Sequence, residues 1–359
     1  MSGKLPYVAG RAKRKTLPKN FVELLKTGDL DMLQAVFETC QVDARGGYAK
    51  QTALAFDECP DALARWLVSQ GADLGAVDAW GNTPLHRRAR KWPSNIAVLL
   101  ELGADVSAAT ASIGTPLHAA ADSKHADNAR QLLARGALVD ARNKEGLTPL
   151  ELALRGCTNA ELERMPAFVE VMLGAGAART PAMKSFIAHV GKSFEFHREA
   201  FDPKGAPRAS AALDFLYATF DVTPVPRRQM HDGVALIVVK ATSWQKQHAE
   251  LWDLLVPSSG PAKTVQGEVI RIVGRISDEW ERNGGGNWDR AYAETAGALA
   301  SYVQRGTPLG RPEVAEIESI VRSLRKRGGA GNDRLAAIAV AWVLRNPQPL
   351  ALEEPSYER

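Results

Sequence analysis

The residues with the greatest capacity for chemistry lie between Leu251 and Asp289, in the stretch LWDLLVPSSGPAKTVQGEVIRIVGRISDEWERNGGGNWD. Glu268, Arg271, Arg275 and Glu279 follow one another at offsets of 3, 7 and 11. On a helix that spacing gathers them on one face. Val269, Ile272, Val273, Ile276 and Trp280 fill the adjacent face. Ions beside an apolar stripe sit at the edge of a core, where Glu/Arg pairs lock helices together. The competing reading is a small polar ligand site, in which Glu268, Arg271 and Arg275 combine with Asn283, Asn287 and Asp289 around the glycines at 284–286. Such a loop offers backbone amides to an anion or oxygens to a cation. It lacks the Lys and Ser/Thr of a phosphate-binding loop and the acidic spacing of a calcium loop. No cofactor or metal is therefore expected.

Other chemistry is sparse. His189, His197, His231 and His248 show no metal-ligand spacing, and Ser258–Ser259–Gly260 lies in a turn bounded by proline. No serine or cysteine has a nucleophile's context, so no catalytic residue is expected. A second concentration of functional side chains is aromatic and cationic. It comprises Tyr48 and Lys50, Trp80 and Asn82, Arg87, Arg90, Lys91 and Trp92, Ser112 and Ile113, Lys144, Glu145 and Arg155. An exposed Trp among arginines has the composition of a binding hot spot. The alternative is that Trp80 or Trp92 packs into a neighbouring segment.

The elements that must position this second group repeat. GNTPLHRRA at Gly81–Ala89 recurs as GTPLHAA at Gly114–Ala120 and GLTPLELA at Gly146–Ala153, with a worn copy, QTALAF, at Gln51–Phe56. The threonines at 52, 83, 115 and 148 are 31, 32 and 33 residues apart. A second phrase keeps the beat: GADL at Gly71, GADV at Gly103, GALV at Gly136 and GAGAA at Gly174–Ala178. Thr caps a helix through its hydroxyl, and Pro fits the first turn, where no amide donor is lost. The Gly that closes the second helix takes a left-handed backbone at little cost. A period near 33 with TPLH in each unit resembles the ankyrin repeat over residues 20–180. The resemblance implies a solenoid of helix pairs and hairpin fingers. His86 and His118 then bond neighbouring repeats, and partners bind at finger tips and on the concave first-helix face. Phe21–Thr27 and Asp29–Thr39 read as an N-terminal cap, with Glu23, Lys26, Asp31 and Gln34 on its wetted side.

The last repeat departs from the pattern. Thr148 to Gly176 spans 28 residues against 20 for Thr83 to Gly103, and the surplus falls in Arg155–Pro166. It is either a contact point for a second domain or a longer solvated turn. After Thr180–Pro181 helical periodicity resumes at Ala182–His197 and Ala209–Phe220, with Phe201–Arg208 as a loop. Val234–Val239 is either a buried strand or the start of a helix through Val256; the stripe through Leu251 and Leu255 and the lack of a partner strand in view favour the helix. Thr264–Arg282, Trp288–Gln304, Glu313–Arg327 and Asp333–Arg345 complete the helices, the last capped by Asn332 or Asp333.

The expected fold is therefore all-α: a basic disordered arm at 1–19, an ankyrin solenoid at 20–180 and a helical domain at 181–359. The arm carries Lys4, Arg11, Lys13, Arg14, Lys15 and Lys19 and no acid. Residues 20–180 hold 16 basic against 20 acidic groups, and residues 181–359 hold 23 against 21. That balance argues against a nucleic-acid partner. No apolar run approaches a membrane span, and no signal core precedes the arm. Cys40, Cys59 and Cys157 are scattered, with no zinc spacing, which suits reduced thiols in a cytoplasm. The Ala- and Arg-rich usage suggests a bacterium. The expected function is a non-enzymatic protein-interaction module, in an immunity or adaptor role. The rival is an enzyme or small-ligand sensor in the helical domain.

Overall fold

The computed structural model describes residues 12–327, 330–355 and 357. The chain divides into two units, one of Met1–Lys192 with Pro203–Pro224, the other of Ser193–Asp202 with Val225–Arg359. The architecture is predominantly helical, as the periodicities imply.

The first unit opens on a strand where a disordered arm was expected. β1 (Arg14–Thr16) runs parallel to β2 (Cys40–Gly46), which pairs antiparallel with β3 (Gln51–Thr52). The physical reason is that the basic side chains find fixed acceptors. Lys13 Nζ donates to the Phe37 carbonyl at 2.7 Å, and Arg14 to the Thr39 hydroxyl at 2.9 Å. Residues 1–11 of the expected arm lie outside the described residues. The cap is α1 (Phe21–Thr27) and α2 (Leu30–Thr39), the latter started by the Asp29 carboxylate. Phe21, Leu25, Leu33 and Phe37 turn inward, while Glu23, Lys26 and Asp31 stay wet.

Each later repeat supplies a helix pair. The worn copy at 51–56 lacks Pro and His, and its first helix shrinks to a 3-10 turn at Ala53–Ala55 before α3 (Asp61–Ser69). The intact copies give α4 (Pro84–Arg90) with α5 (Ala97–Glu101), α6 (Pro116–Asp122) with α7 (Ala126–Ala134), and α8 (Pro149–Arg155) with α9 (Met165–Gly174). The threonine hydroxyls cap as expected: Thr148 accepts the Glu151 N–H at 3.2 Å. The glycine ending each second helix has positive φ, from 87° at Gly136 to 92° at Gly103.

The histidines of TPLH hold neighbouring repeats together. The Thr115 N–H donates to His118 Nδ1 at 3.1 Å, so Nδ1 carries no proton and Nε2–H donates to the Leu147 carbonyl at 3.1 Å. His86 repeats the arrangement between Thr83 and the Gly114 carbonyl. Burial pushes the pKa of both imidazoles down.

The array does not end at Thr180. Glu151, which stands where His would, accepts the Thr180 hydroxyl at 2.6 Å and the Thr148 N–H at 2.9 Å. α10 (Pro181–His197) follows at once, and α11 (Gly205–Phe220) packs on α9 and on the 3-10 turn Asn159–Arg164. The surplus of the last repeat is thus the seat of a closing helix in its own unit. Buried Lys124 anchors it, donating to Glu161 Oε2 and the Gly156 carbonyl at 3.0 Å each. Arg208 and Glu163 pair at 2.9 Å across the same seam. The expected boundary at 180/181 therefore falls inside the first unit.

The second unit is built on α13 (Val265–Asn283). α12 (Trp244–Leu255), α14 (Arg290–Tyr302) and α16 (Asn332–Arg345) pack on it, and α15 (Arg311–Arg327) packs on α14 and α16. The N-cap of α16 is Gly331, neither Asn332 nor Asp333. The tail returns along the start of α13. Gln266 reaches the Asn346 and Gln348 carbonyls, and Val265 N–H donates to the Leu350 carbonyl at 2.8 Å.

One expected helix is absent: residues 234–241 are irregular and extended, and helix starts only at Trp244. Val234, Ala235, Leu236 and Val238 face solvent and Ile237 alone is buried, so the segment has no apolar stripe for a helix to bury. The backbone finds partners other than a strand. Ile237 N–H donates to the Pro347 carbonyl, and Lys240 and Ala241 N–H donate to the Glu250 carboxylate.

Candidate functional site

Three successive fingers and first helices enclose a groove of about 550 Å³. Of the residues singled out from sequence, Trp80, Asn82, Arg87, Arg90, Ile113, Glu145 and Arg155 line it together. Tyr48, Lys50, Lys91 and Lys144 do not. Tyr48 is 92% exposed and leans on Trp80 with ring centroids 5.6 Å apart, extending the aromatic edge beyond the groove. Lys91 lies 3.8 Å from Asp57. Lys50 takes positive φ in a finger, and Lys144 is solvated.

The groove's charges are partnered, one pair across successive repeats and the others within a repeat. Arg90 Nε meets Asp122 Oδ2 at 2.6 Å, and Arg155 meets Glu145 at 2.6 Å. Arg87 lies 5.6 Å over the Trp80 ring and 3.7 Å from Asp78. Asp78 itself is buried and shapes the finger, accepting the Trp80 N–H at 2.8 Å and the Asn82 N–H at 2.9 Å. Ser112 Oγ donates to Asn82 Oδ1 at 3.0 Å and ties two finger tips. The floor is half apolar, with Ile113 and Leu152, and the rim is ionic. Asp122, Asn143 and Leu152 belong to the groove and were not anticipated. The repeat register contained the signal for one of them, since Asp122 stands 32 residues after Arg90, one period on.

Trp92 takes the alternative role. Its ring stacks on His125 of the next repeat at 3.8 Å and 11°, and its Nε1–H donates to the Ser123 carbonyl at 3.0 Å. The second helix of its repeat begins later, at Ala97.

The second candidate, around α13, separates into two clusters. Glu268 and Arg271 form a buried bidentate pair, Nε to Oε2 at 2.8 Å and Nη2 to Oε1 at 2.5 Å. The Ala262 N–H and the Tyr357 hydroxyl also donate to that carboxylate, at 2.9 and 2.6 Å. Burial pushes the Glu268 carboxyl up, but these bonds and the guanidinium charge outweigh it and hold it below the ordinary range. At the far end, roughly 16 Å along a helix rising 1.5 Å per residue, Asn283 and Asn287 close on Glu279. That carboxylate accepts Asn283 Nδ2 at 3.0 Å, the Asn287 N–H at 2.7 Å and Asn287 Nδ2 at 3.1 Å. Asp289 caps α14 through the Tyr292 N–H, and Arg275 lines a different cavity. The six residues therefore do not form one site. The glycine loop's amide at 287 is committed within the chain, and Trp280 packs with Trp288 at 5.7 Å.

Among the described residues no group of His, Cys, Asp and Glu has the geometry of a metal site, and no helix is long and apolar enough to cross a membrane. The three cysteines are unpaired thiols, and burial pushes Cys59 and Cys157 up to about 12. No curated protein matches the chain. A family model of ankyrin repeats matches residues 49–143 with three copies. Ankyrin repeats are protein–protein interaction modules.

Proposed function

We propose, from the ankyrin repeats of residues 49–143 as premise, that the protein captures a protein partner in the concave groove and does no chemistry there. The observation that carries this is the convergence of Trp80, Arg87, Arg90, Ile113 and Arg155 from three repeats on one groove of about 550 Å³. Tyr48 and Trp80 supply rigid aromatic area, and Ile113 and Leu152 supply an apolar floor. The arginines keep internal carboxylate partners, so a partner's acid exchanges one pairing for another. Such exchange gives specificity and on-rate more than raw affinity. In a bacterial cytoplasm the fitting roles are an immunity protein that covers a toxin, or an adaptor; the free thiols are compatible with that compartment.

The test compares full-length wild type with a Trp80→Ala/Arg155→Ala variant as baits in cross-linked pull-downs. Both residues are solvent-accessible, so the melting midpoint should hold. Loss of a partner from the variant supports the reading. Unchanged capture by a variant with an unchanged melt overturns it.

A further inference from the structure

A further cavity lies in the second unit, and neither Glu268 nor Glu279 lines it. Its volume is about 720 Å³. Residues of α12, α13 and α16 line it, with His197 from the end of α10. Two features distinguish it from a crevice between helices.

One is its charge. Asp253, Asp278, Glu281 and Asp333 face two cations, Arg275 and Arg282. Arg282 is taken by Asp278 at 2.7 Å. Glu281 and Asp333 are exposed and make no salt bridge among the described residues. Asp253 is exposed and feels the charge of Arg228, whose guanidinium sits on the carbonyls of Trp252, Asp253 and Val256. His248 adds no positive charge near neutral pH, because burial pushes its pKa down. The lining thus carries two more carboxylates than guanidiniums.

The other is its aromatic wall, Trp244 and Trp252. Trp252 is held in place. A Cβ on Gly274 would stand 2.2 Å from its ring, so only glycine lets α13 approach, and Phe196 stacks on it at 6.1 Å and 13°. A fixed apolar wall beside unneutralised carboxylates is complementary to a long side chain that is aliphatic along its stem and cationic at its head.

We infer that this cavity binds an alkyl guanidinium or alkyl ammonium group, its stem against Trp244 and Trp252 and its head at Glu281 and Asp333. The group can come from an arginine or lysine in a peptide, or from a free polyamine-like metabolite. The inference concerns a different unit from the ankyrin groove and stands or falls without it.

The experiment titrates full-length protein by calorimetry with three probes: agmatine, a blocked Ala-Arg-Ala tripeptide, and the same tripeptide with citrulline in place of arginine. Citrulline keeps size and hydrogen bonding and removes the charge. Binding of the arginine peptide or of agmatine, about tenfold or more tighter than the citrulline peptide, is expected. The affinity should fall as salt rises, since these carboxylates are exposed. Agmatine as tight as the arginine peptide identifies a small-molecule source; a tighter peptide identifies a chain-borne one. Glu281→Gln/Asp333→Asn should weaken binding about tenfold with an unchanged melting midpoint. Should that variant fail to fold, the salt dependence and the citrulline comparison in the wild type still decide. Equal binding of the arginine and citrulline peptides, no binding of either cation at millimolar concentration, or unchanged binding in a folded double variant overturns the inference.

Discussion

Replacing Glu268 by alanine measures what the buried ion pair contributes to the second unit. The carboxylate is fully buried and takes two donors on each oxygen: Arg271 Nε and the Ala262 N–H on Oε2, Arg271 Nη2 and the Tyr357 hydroxyl on Oε1. Alanine leaves the Arg271 guanidinium, 1% exposed, without its counter-ion. Breaking such a pair from one side costs about 3–5 kcal/mol. The Ala262 amide, left without an acceptor, adds about 1 kcal/mol or more. For a unit of this size each kcal/mol moves the midpoint by about 2–4 °C, so its calorimetric transition should fall by about 10–20 °C. Glutamine should fall between, at about 2–3 kcal/mol. It keeps one oxygen with two donors, and Tyr357 can turn its hydroxyl to accept, with the Tyr302 hydroxyl 3.2 Å away. Its amide still faces an arginine N–H.

The sign with pH follows from the depressed carboxyl. Its stabilisation is complete above the ordinary carboxylate value of about 4.3 and is lost as pH falls through the lower folded value. The gap between wild type and Glu268→Gln should therefore close in acid. Because apolar replacement of both partners is often neutral, Glu268→Leu/Arg271→Met should recover most of the loss. A Glu268→Ala midpoint equal to wild type, or a double variant no more stable than the single, refutes the argument that an uncompensated buried charge is what costs.

Three further outcomes follow from local geometry. In the glycine loop, Gly285→Ala should destabilise by about 2 kcal/mol or more, since its φ is 78° and a Cβ would stand 2.2 Å from the Trp280 ring; Gly284→Ala, with φ 58° and open space around it, should cost about 1 kcal/mol, and Gly286→Ala, free of positive φ but with its Cβ 3.2 Å from the Asn283 carbonyl, less than Gly285→Ala, an order that thermal melts would check. Burial lowers the pKa of His86 and His118, so the neutral imidazole stabilises the first unit above the ordinary value of about 6.5, and that stability is lost as pH falls below it; an NMR titration placing either above that value would contradict this. Asp78→Ala should cost about 2 kcal/mol, because two finger amides lose their acceptor, whereas Arg90→Ala, an exposed pair, should cost within about 0.5 kcal/mol in a denaturant titration.

What could be read in advance divides along physical lines. The repeats were legible because Thr, Pro and Gly in TPLH and GA act within a few residues of themselves: caps, first turns and left-handed ends are local events. The groove was half legible. Trp80, Arg87, Arg90 and Arg155 could be placed at finger and first-helix positions, but their charges looked free. Seeing Arg90 meet Asp122 requires stacking one period on the next, and seeing Arg87 reach Asp78 requires folding the finger back on its own helix. The ligand site around the glycine loop failed for the opposite reason. Asn283, Asn287 and Asp289 are close in sequence, yet Glu279 and the Tyr292 N–H take up polar groups of theirs that a ligand would need.

The two errors of extent share one cause, a partner far away in sequence. Val234–Val239 buries Ile237 alone, and the expectation of helix there rests on the want of a nearby strand. Its hydrogen bonds go to Pro347 and Glu250 instead. Likewise the break at Thr180–Pro181 looks like a domain end, since proline starts a new helix there. What it starts is the closure of the array. Glu151 has exchanged the histidine's reach into another repeat for a hydroxyl at Thr180, and the lengthened stretch Arg155–Pro166 of the last repeat carries the turn on which α11 rests. A solenoid's terminal face must be covered or wetted. Here the first face is wetted by Glu23, Lys26 and Asp31 and the last is covered by helix, and the concave groove between them offers both aromatic and apolar surface to a partner.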